Sequence, residues 1–149
     1  MNTKRAVGAG LVATGTMTAL LLIEPSIGLP QIAIGQLLST SLGLTTALLP
    51  SGPAVGWILH FLIGSVLGLI YAGVFAHRLP GGPITRGMLY GVLVFILAQL
   101  VFMPLAGGGV FSGGDMQMLV GSLFGHLLFG AVIGWIYDLA APTSGTLTG

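Results

Sequence analysis

The sequence predicts an all-α membrane protein: four transmembrane helices arranged as two parallel-repeated helical hairpins, plus one outer interfacial amphipathic helix. Three observations carry that prediction. Four apolar stretches are each long enough to cross a hydrocarbon core, which takes about 20 helical residues. Every Lys and Arg falls on one side of those stretches. A pattern in the second stretch recurs in the fourth. Composition agrees: 54% of the 149 residues are hydrophobic, against four basic and three acidic side chains. That is too little polar surface to cover a water-soluble globule of this size.

The spans read as Ala6 to Glu24, Ala54 to His77, Gly87 to Ala106 and Met118 to Ala140, in a single membrane domain covering residues 1–149. Lys4 and Arg5 before the first span resemble the start of a signal peptide, but no small-x-small cleavage site follows Ile23, so it is read as an uncleaved span. Lys4 and Arg5 precede span one, and Arg78 and Arg86 flank the turn between spans two and three. The opposite side carries Glu24 and Asp115 and no basic residue. The positive-inside rule therefore places both termini in the cytoplasm. Trp57 is expected near the outer interface, and Tyr71, Tyr90, Trp135 and Tyr137 near the inner one, as an aromatic belt.

The outer segment from Pro25 to Pro53 is too apolar for a simple turn. Ile34, Leu37, Leu38 and Leu42 share one helical face, and Gln36, Ser39, Thr40 and Gly43 the other, which predicts an interfacial helix over residues 31–43. It is too short to span. The second outer loop, Gly107 to Gln117, is glycine-rich, and Ala141 to Gly149 forms a polar tail.

Laying His60–Tyr71 (HFLIGSVLGLIY) on His126–Tyr137 (HLLFGAVIGWIY) gives seven identities in twelve positions, which reads as a duplication. Arg5, Gly10 and Thr18 align more loosely with Arg86, Gly91 and Gln99, so the copies run over about 5–77 and 86–140. Two spans per copy give both copies the same orientation. His60, Gly64, Gly68 and Tyr71 lie on one helical stripe, as do His126, Gly130, Gly134 and Tyr137. Glycines at that spacing let helix backbones approach, so Gly10, Gly64, Gly68, Gly91, Gly130 and Gly134 are the expected packing positions.

Depth singles out one constellation. Thr18, His60, Gln99 and His126 all fall roughly 8 to 12 Å below the outer interface, at 1.5 Å of rise per residue. The bland reading is that these side chains hydrogen-bond across helices to hold register. A second makes His60 and His126 the axial ligands of a haem b, against which stands the lack of basic residues for its propionates. A third adds Met17, Met103, Met116 or Met118 as soft ligands for copper. A small oligomeric transporter is a fourth. With no cysteine, no HExxH and no serine beside a histidine in a nucleophile motif, no catalytic residue is predicted. A net charge of +1 gives no field for nucleic acid.

The strings GLVATGTMTALLL, GWILHFLIGSVLGLIYA and GSLFGHLLFGAVIGWIY resemble an uncharacterised family of small four-helix prokaryotic membrane proteins, a domain of unknown function, over about Gly8 to Tyr137. The resemblance implies the same four-span architecture in a prokaryotic cytoplasmic membrane and carries no activity or cofactor. The leading expectation is thus a non-catalytic accessory subunit in the lipid bilayer, packed in a larger respiratory or photosynthetic assembly or self-associated. The cofactor-binding reading follows it.

Overall fold

A computed structural model describes residues 1–41 and 53–139. Among these the chain is helical throughout its regular segments. Helix α1, Thr3–Ile23, starts at Asn2, whose side chain accepts from the Arg5 N–H, and runs into a 3₁₀ turn over Glu24–Ile27 closed by left-handed Gly28. Helix α2 covers Ile34–Ser41. Helix α3, Pro53–Ile70, continues as a π turn over Tyr71–Phe75. Helix α4, Pro83–Leu97, opens with proline in its first turn, where a missing N–H costs nothing. It continues through a second π turn, Ala98–Phe102, to Met103–Leu105. Helix α5 covers Met116–Leu139.

Four of these helices are long and apolar enough to cross a membrane: Thr3–Ile27, Pro53–Phe75, Pro83–Leu105 and Met116–Asp138. They agree closely with the expected spans. The expected residue Ala140, the tail Ala141–Gly149, and Leu42 and Gly43 of the expected interfacial helix lie outside the described residues.

The helices pack as two interlocked pairs. In the first, α1 and α3 meet at glycine: a Cβ added at Gly10 would strike the Gly64 carbonyl, one at Gly64 the Thr14 hydroxyl, and one at Gly68 the Ala6 carbonyl. In the second, α4 and α5 do the same. A Cβ at Gly91 would strike the His126 carbonyl, one at Gly87 or Gly130 the other's carbonyl, and one at Gly134 that of Pro83. Backbones this close gain dispersion contact along their length, the force that remains when lipid tails are as apolar as leucine. The pairs join through α1 and α5, where Gly125 seats Met17 and Gly121 seats Glu24.

Helices α3 and α4 meet only toward the end that carries the basic residues. There Tyr90 donates to the Leu67 carbonyl at 2.8 Å and stacks against Tyr71 and Phe75, with ring centroids 5.3 and 5.1 Å apart. Arg86 at the same end pairs with Asp138 at 3.6 Å and donates to the Ala76 carbonyl, and Arg5 reaches the Tyr137 carbonyl. The expected aromatic belt is corrected here. Tyr71, Tyr90 and Tyr137 are buried in the core, while Trp135 is exposed. Tyrosine at a helix end serves a core as well as an interface, because a ring buries large area and its hydroxyl can satisfy a backbone carbonyl.

Helix α2 also departs from expectation. It packs on the start of α3, with Gly35 against the Gly56 backbone and beside the Trp57 indole. Ser39, expected on a polar outward face, is buried and donates to the Gln36 carbonyl at 3.0 Å. A serine satisfied by its own helix behaves as a small apolar residue, so its polarity does not mark a solvent face.

Candidate functional site

Because α3 and α4 touch only toward one end, the other half of the bundle encloses a cavity of about 440 Å³. That is within the usual range for small-molecule sites, about 300–1,000 Å³. Helix α2 covers it with Ile34, Leu37 and Leu38. Its side walls include Leu62 and Val66 of α3 and Leu97 of α4. Those three are 56, 53 and 48% exposed, so the cavity opens sideways between α3 and α4, where the surroundings are apolar.

The polar groups on this cavity form a chain across α4 and α5. Gln99, buried in the π turn of α4, accepts from the Ser112 hydroxyl at 2.9 Å and donates to Ser122 Oγ at 3.1 Å. A π turn widens the helix locally and re-aims one side chain, a common device at functional sites. Ser112 is brought over by the loop before α5, where Phe111, Ser112, Gly113 and Gly114 all have positive φ. For Phe111 and Ser112 that left-handed conformation costs about 1–2 kcal/mol each.

His126, one turn after Ser122, brings its Nδ1 to 2.7 Å from the Ser122 carbonyl. A carbonyl only accepts, so this contact assigns the ring proton to Nδ1 and leaves Nε2 as a lone pair. His60 lines the same cavity but is held differently: its ring lies edge-on to Trp57 and Phe61, and its Nε2 is enclosed with no hydrogen-bond partner.

Of the four side chains expected in one layer, His60, Gln99 and His126 come together on this cavity. Thr18 does not. Its hydroxyl is enclosed without a partner, and Thr14, one turn earlier, lines the cavity in its place and donates to the Gly10 carbonyl at 2.8 Å. Four residues advance an α-helix by a turn plus roughly 40°. A stripe on α1 that faces α3 at Gly10 has therefore turned away by Thr18. Met17, Met103 and Met118 line the cavity, and Met116 is exposed outside it. No cluster of three or more His, Cys, Asp or Glu side chains occurs among the described residues.

Ser112 and Ser122 are the members that sequence reasoning missed. Ser122 precedes His126 by four residues, so extending the histidine stripe back one turn reaches it. The matching position in the first copy is Gly56, used for packing α2, so the repeat gave no hint of it. Ser112 had no signal, since a left-handed serine in a glycine-rich loop reads as a turn residue. Glu24, which does not line the cavity, also departs from expectation. Expected at the outer surface, it is 1% exposed, and both carboxylate oxygens lack a partner.

Four membrane-length helices around a sideways-opening apolar cavity, crossed by a short polar chain, define the class: a polytopic helical membrane protein built of two interlocked helix pairs. The chain belongs to a family described as "Family of unknown function (DUF6789)", whose model matches residues 1–148. Comparison with curated proteins and with solved structures gave no match.

Proposed function

We propose that the protein is a non-catalytic integral membrane protein that holds an apolar, membrane-dissolved molecule in the cavity between its helix pairs. The observation that carries this reading is the sideways opening. The cavity meets the lipid phase between Leu62 and Val66 on one side and Leu97 on the other, so a lipophilic molecule enters without crossing water. Burying its apolar body is worth about 25 cal/mol per Å² removed from water, but far less when it comes from lipid. Selectivity therefore rests on the polar chain at His126, Gln99 and the two serines.

Two other readings rank below it. A haem held through the Nε2 atoms of His60 and His126 needs His60 Nε2 to reach the iron, and that atom is enclosed. An accessory subunit needs a face that lipid does not explain. The exposed Leu, Ile and Val side chains of the spans are what a bilayer requires.

The test is extraction. Protein purified in mild detergent is denatured, and the organic extract is identified by mass spectrometry. One small apolar species is expected at near-equimolar amount, and Ala98→Trp, which fills the cavity from α4, is expected to lose it. Bulk-lipid composition in both extracts would sink the reading. The absorption spectrum of the same sample decides the haem alternative, which requires a Soret band that His60→Ala removes.

A further inference from the structure

Much of the hydrogen-bonding capacity at the cavity is already used. The Thr14 hydroxyl donates to the Gly10 carbonyl, and the Ser112 hydroxyl donates to Gln99. The Gln99 amide in turn donates to Ser122. His60 Nε2 is enclosed. What remain are the Ser122 hydroxyl proton, which the protonated His126 Nδ1 beside it cannot take, one Gln99 N–H, and His126 Nε2, an acceptor set by the Nδ1 contact with its own helix and without a partner of its own. A lone pair facing an apolar cavity is satisfied only by a donor.

We infer that the occupant is a membrane alcohol: a long apolar body with one neutral hydroxyl head, which donates its proton to His126 Nε2. This inference rests on the cavity-binding reading above and names the class of molecule held. The alternatives fail on chemistry. A fatty acid or phospholipid brings an anion, and no Lys or Arg lines the cavity, while the charged residues at that end are Glu24 and Asp115. An ether, ester or ketone head offers only lone pairs: it can accept from the Ser122 hydroxyl but leaves the imidazole lone pair unmet, whereas a hydroxyl can meet both. A hydroxyl is the smallest neutral head that supplies a proton. Two common membrane molecules carry it, a prenyl alcohol and a diacylglycerol, and they share this chemistry.

The experiment uses three photoreactive probes with one identical long chain, a primary alcohol, its O-methyl ether and the corresponding carboxylic acid, applied to the purified full-length protein. The alcohol is expected to label peptides of α3 and α4 at about tenfold lower concentration than the ether, the discrimination one neutral hydrogen bond supports. In His126→Phe that preference is expected to vanish while ether labelling persists, which shows the cavity intact. His126→Gln, whose amide oxygen accepts, is expected to restore it in part.

Equal labelling by alcohol and ether in the unmodified protein, or a preference that survives His126→Phe, overturns the hydroxyl inference and leaves the cavity reading standing. Preferred labelling by the acid overturns it equally. Failure of every probe to label α3 and α4, or labelling unaffected by Ala98→Trp, overturns the cavity reading itself. Unlabelled prenyl alcohol and unlabelled diacylglycerol then compete against the alcohol probe. Displacement by either supports the inference and names the source, and displacement by neither counts against it.

Discussion

Ser112 donates its hydroxyl to Gln99 Oε1 at 2.9 Å from a left-handed backbone position, φ 54°. The loop thus accepts strain to place one donor. Two terms compete at this residue. The hydrogen bond is worth about 0.6 kcal/mol on average in a membrane, and the left-handed conformation costs a non-glycine residue about 1–2 kcal/mol. Ser112→Ala loses the bond and keeps the strain, whereas Ser112→Gly loses the bond and relieves it. The glycine variant is expected to melt several degrees above the alanine variant, followed by tryptophan fluorescence. The reverse order would mean that the left-handed backbone at this position carries no strain for glycine to relieve.

The glycine contacts predict a sharp contrast along one helix. Gly10 has no room for a Cβ, but an added Cβ at Gly8 or Gly15 meets nothing within 4 Å. Gly10→Val, and likewise Gly130→Val in the second pair, is expected to prevent a stable fold, seen as loss of a monodisperse peak in detergent. Gly8→Ala is expected to stabilise by about 0.5–1 kcal/mol, through the entropy that glycine loses in a helix.

Glu24 lies nearly fully buried with both carboxylate oxygens unpartnered, and a Cβ built on Gly121 would sit only 3.3 Å from them. Replacing a buried, uncompensated acid with an apolar residue of similar volume is commonly stabilising. Glu24→Leu is expected to raise the melting temperature, and Gly121→Val to lower it by crowding the same seat. A Glu24→Leu variant that melts lower would show that the carboxyl has a favourable partner.

Orientation is testable without background, because the chain has no cysteine of its own. With the basic residues cytoplasmic, Ser26→Cys is expected to react with a membrane-impermeant maleimide added to intact cells. Arg78→Cys is expected to react only after permeabilisation. The opposite pattern would invert the topology.

Hydropathy and glycine spacing made the four spans legible, because a helix in lipid must satisfy its backbone alone and so writes about 20 apolar residues in a row. The glycine stripes were legible for a related reason. Gly68, Gly130 and Gly134 each fill a contact where a Cβ would strike backbone, and Gly64 one where it would strike the Thr14 hydroxyl, and few other residue types serve there. The polar chain was half legible. His60, Gln99 and His126 stand out because polar side chains are rare in spans, but Thr18 turned away with the helix and Thr14 took its place. Ser39 and Glu24 misled for a common reason. Both are polar by type and buried in fact, one satisfied by its own helix and the other enclosed against a glycine. The π turn that presents Gln99 left no trace of its own, since the residues around Gln99 in Ala98–Phe102 are those of ordinary apolar helix.

The unequal seams of the bundle give it a mechanical character. Within each pair, backbone rests on backbone, so α1 with α3 and α4 with α5 are stiff leaves that resist shear. Between the leaves the contact of α1 with α5 works as a spine. The opposite margin is fastened only near the basic end, by Tyr90 on Leu67 and the rings around it. Lateral pressure from the bilayer is thus borne by the tyrosine clasp and the spine, and the compliant edge is the far half of the α3–α4 margin. A molecule held in the cavity would be a wedge in that edge, and its girth would set how far the leaves stand apart.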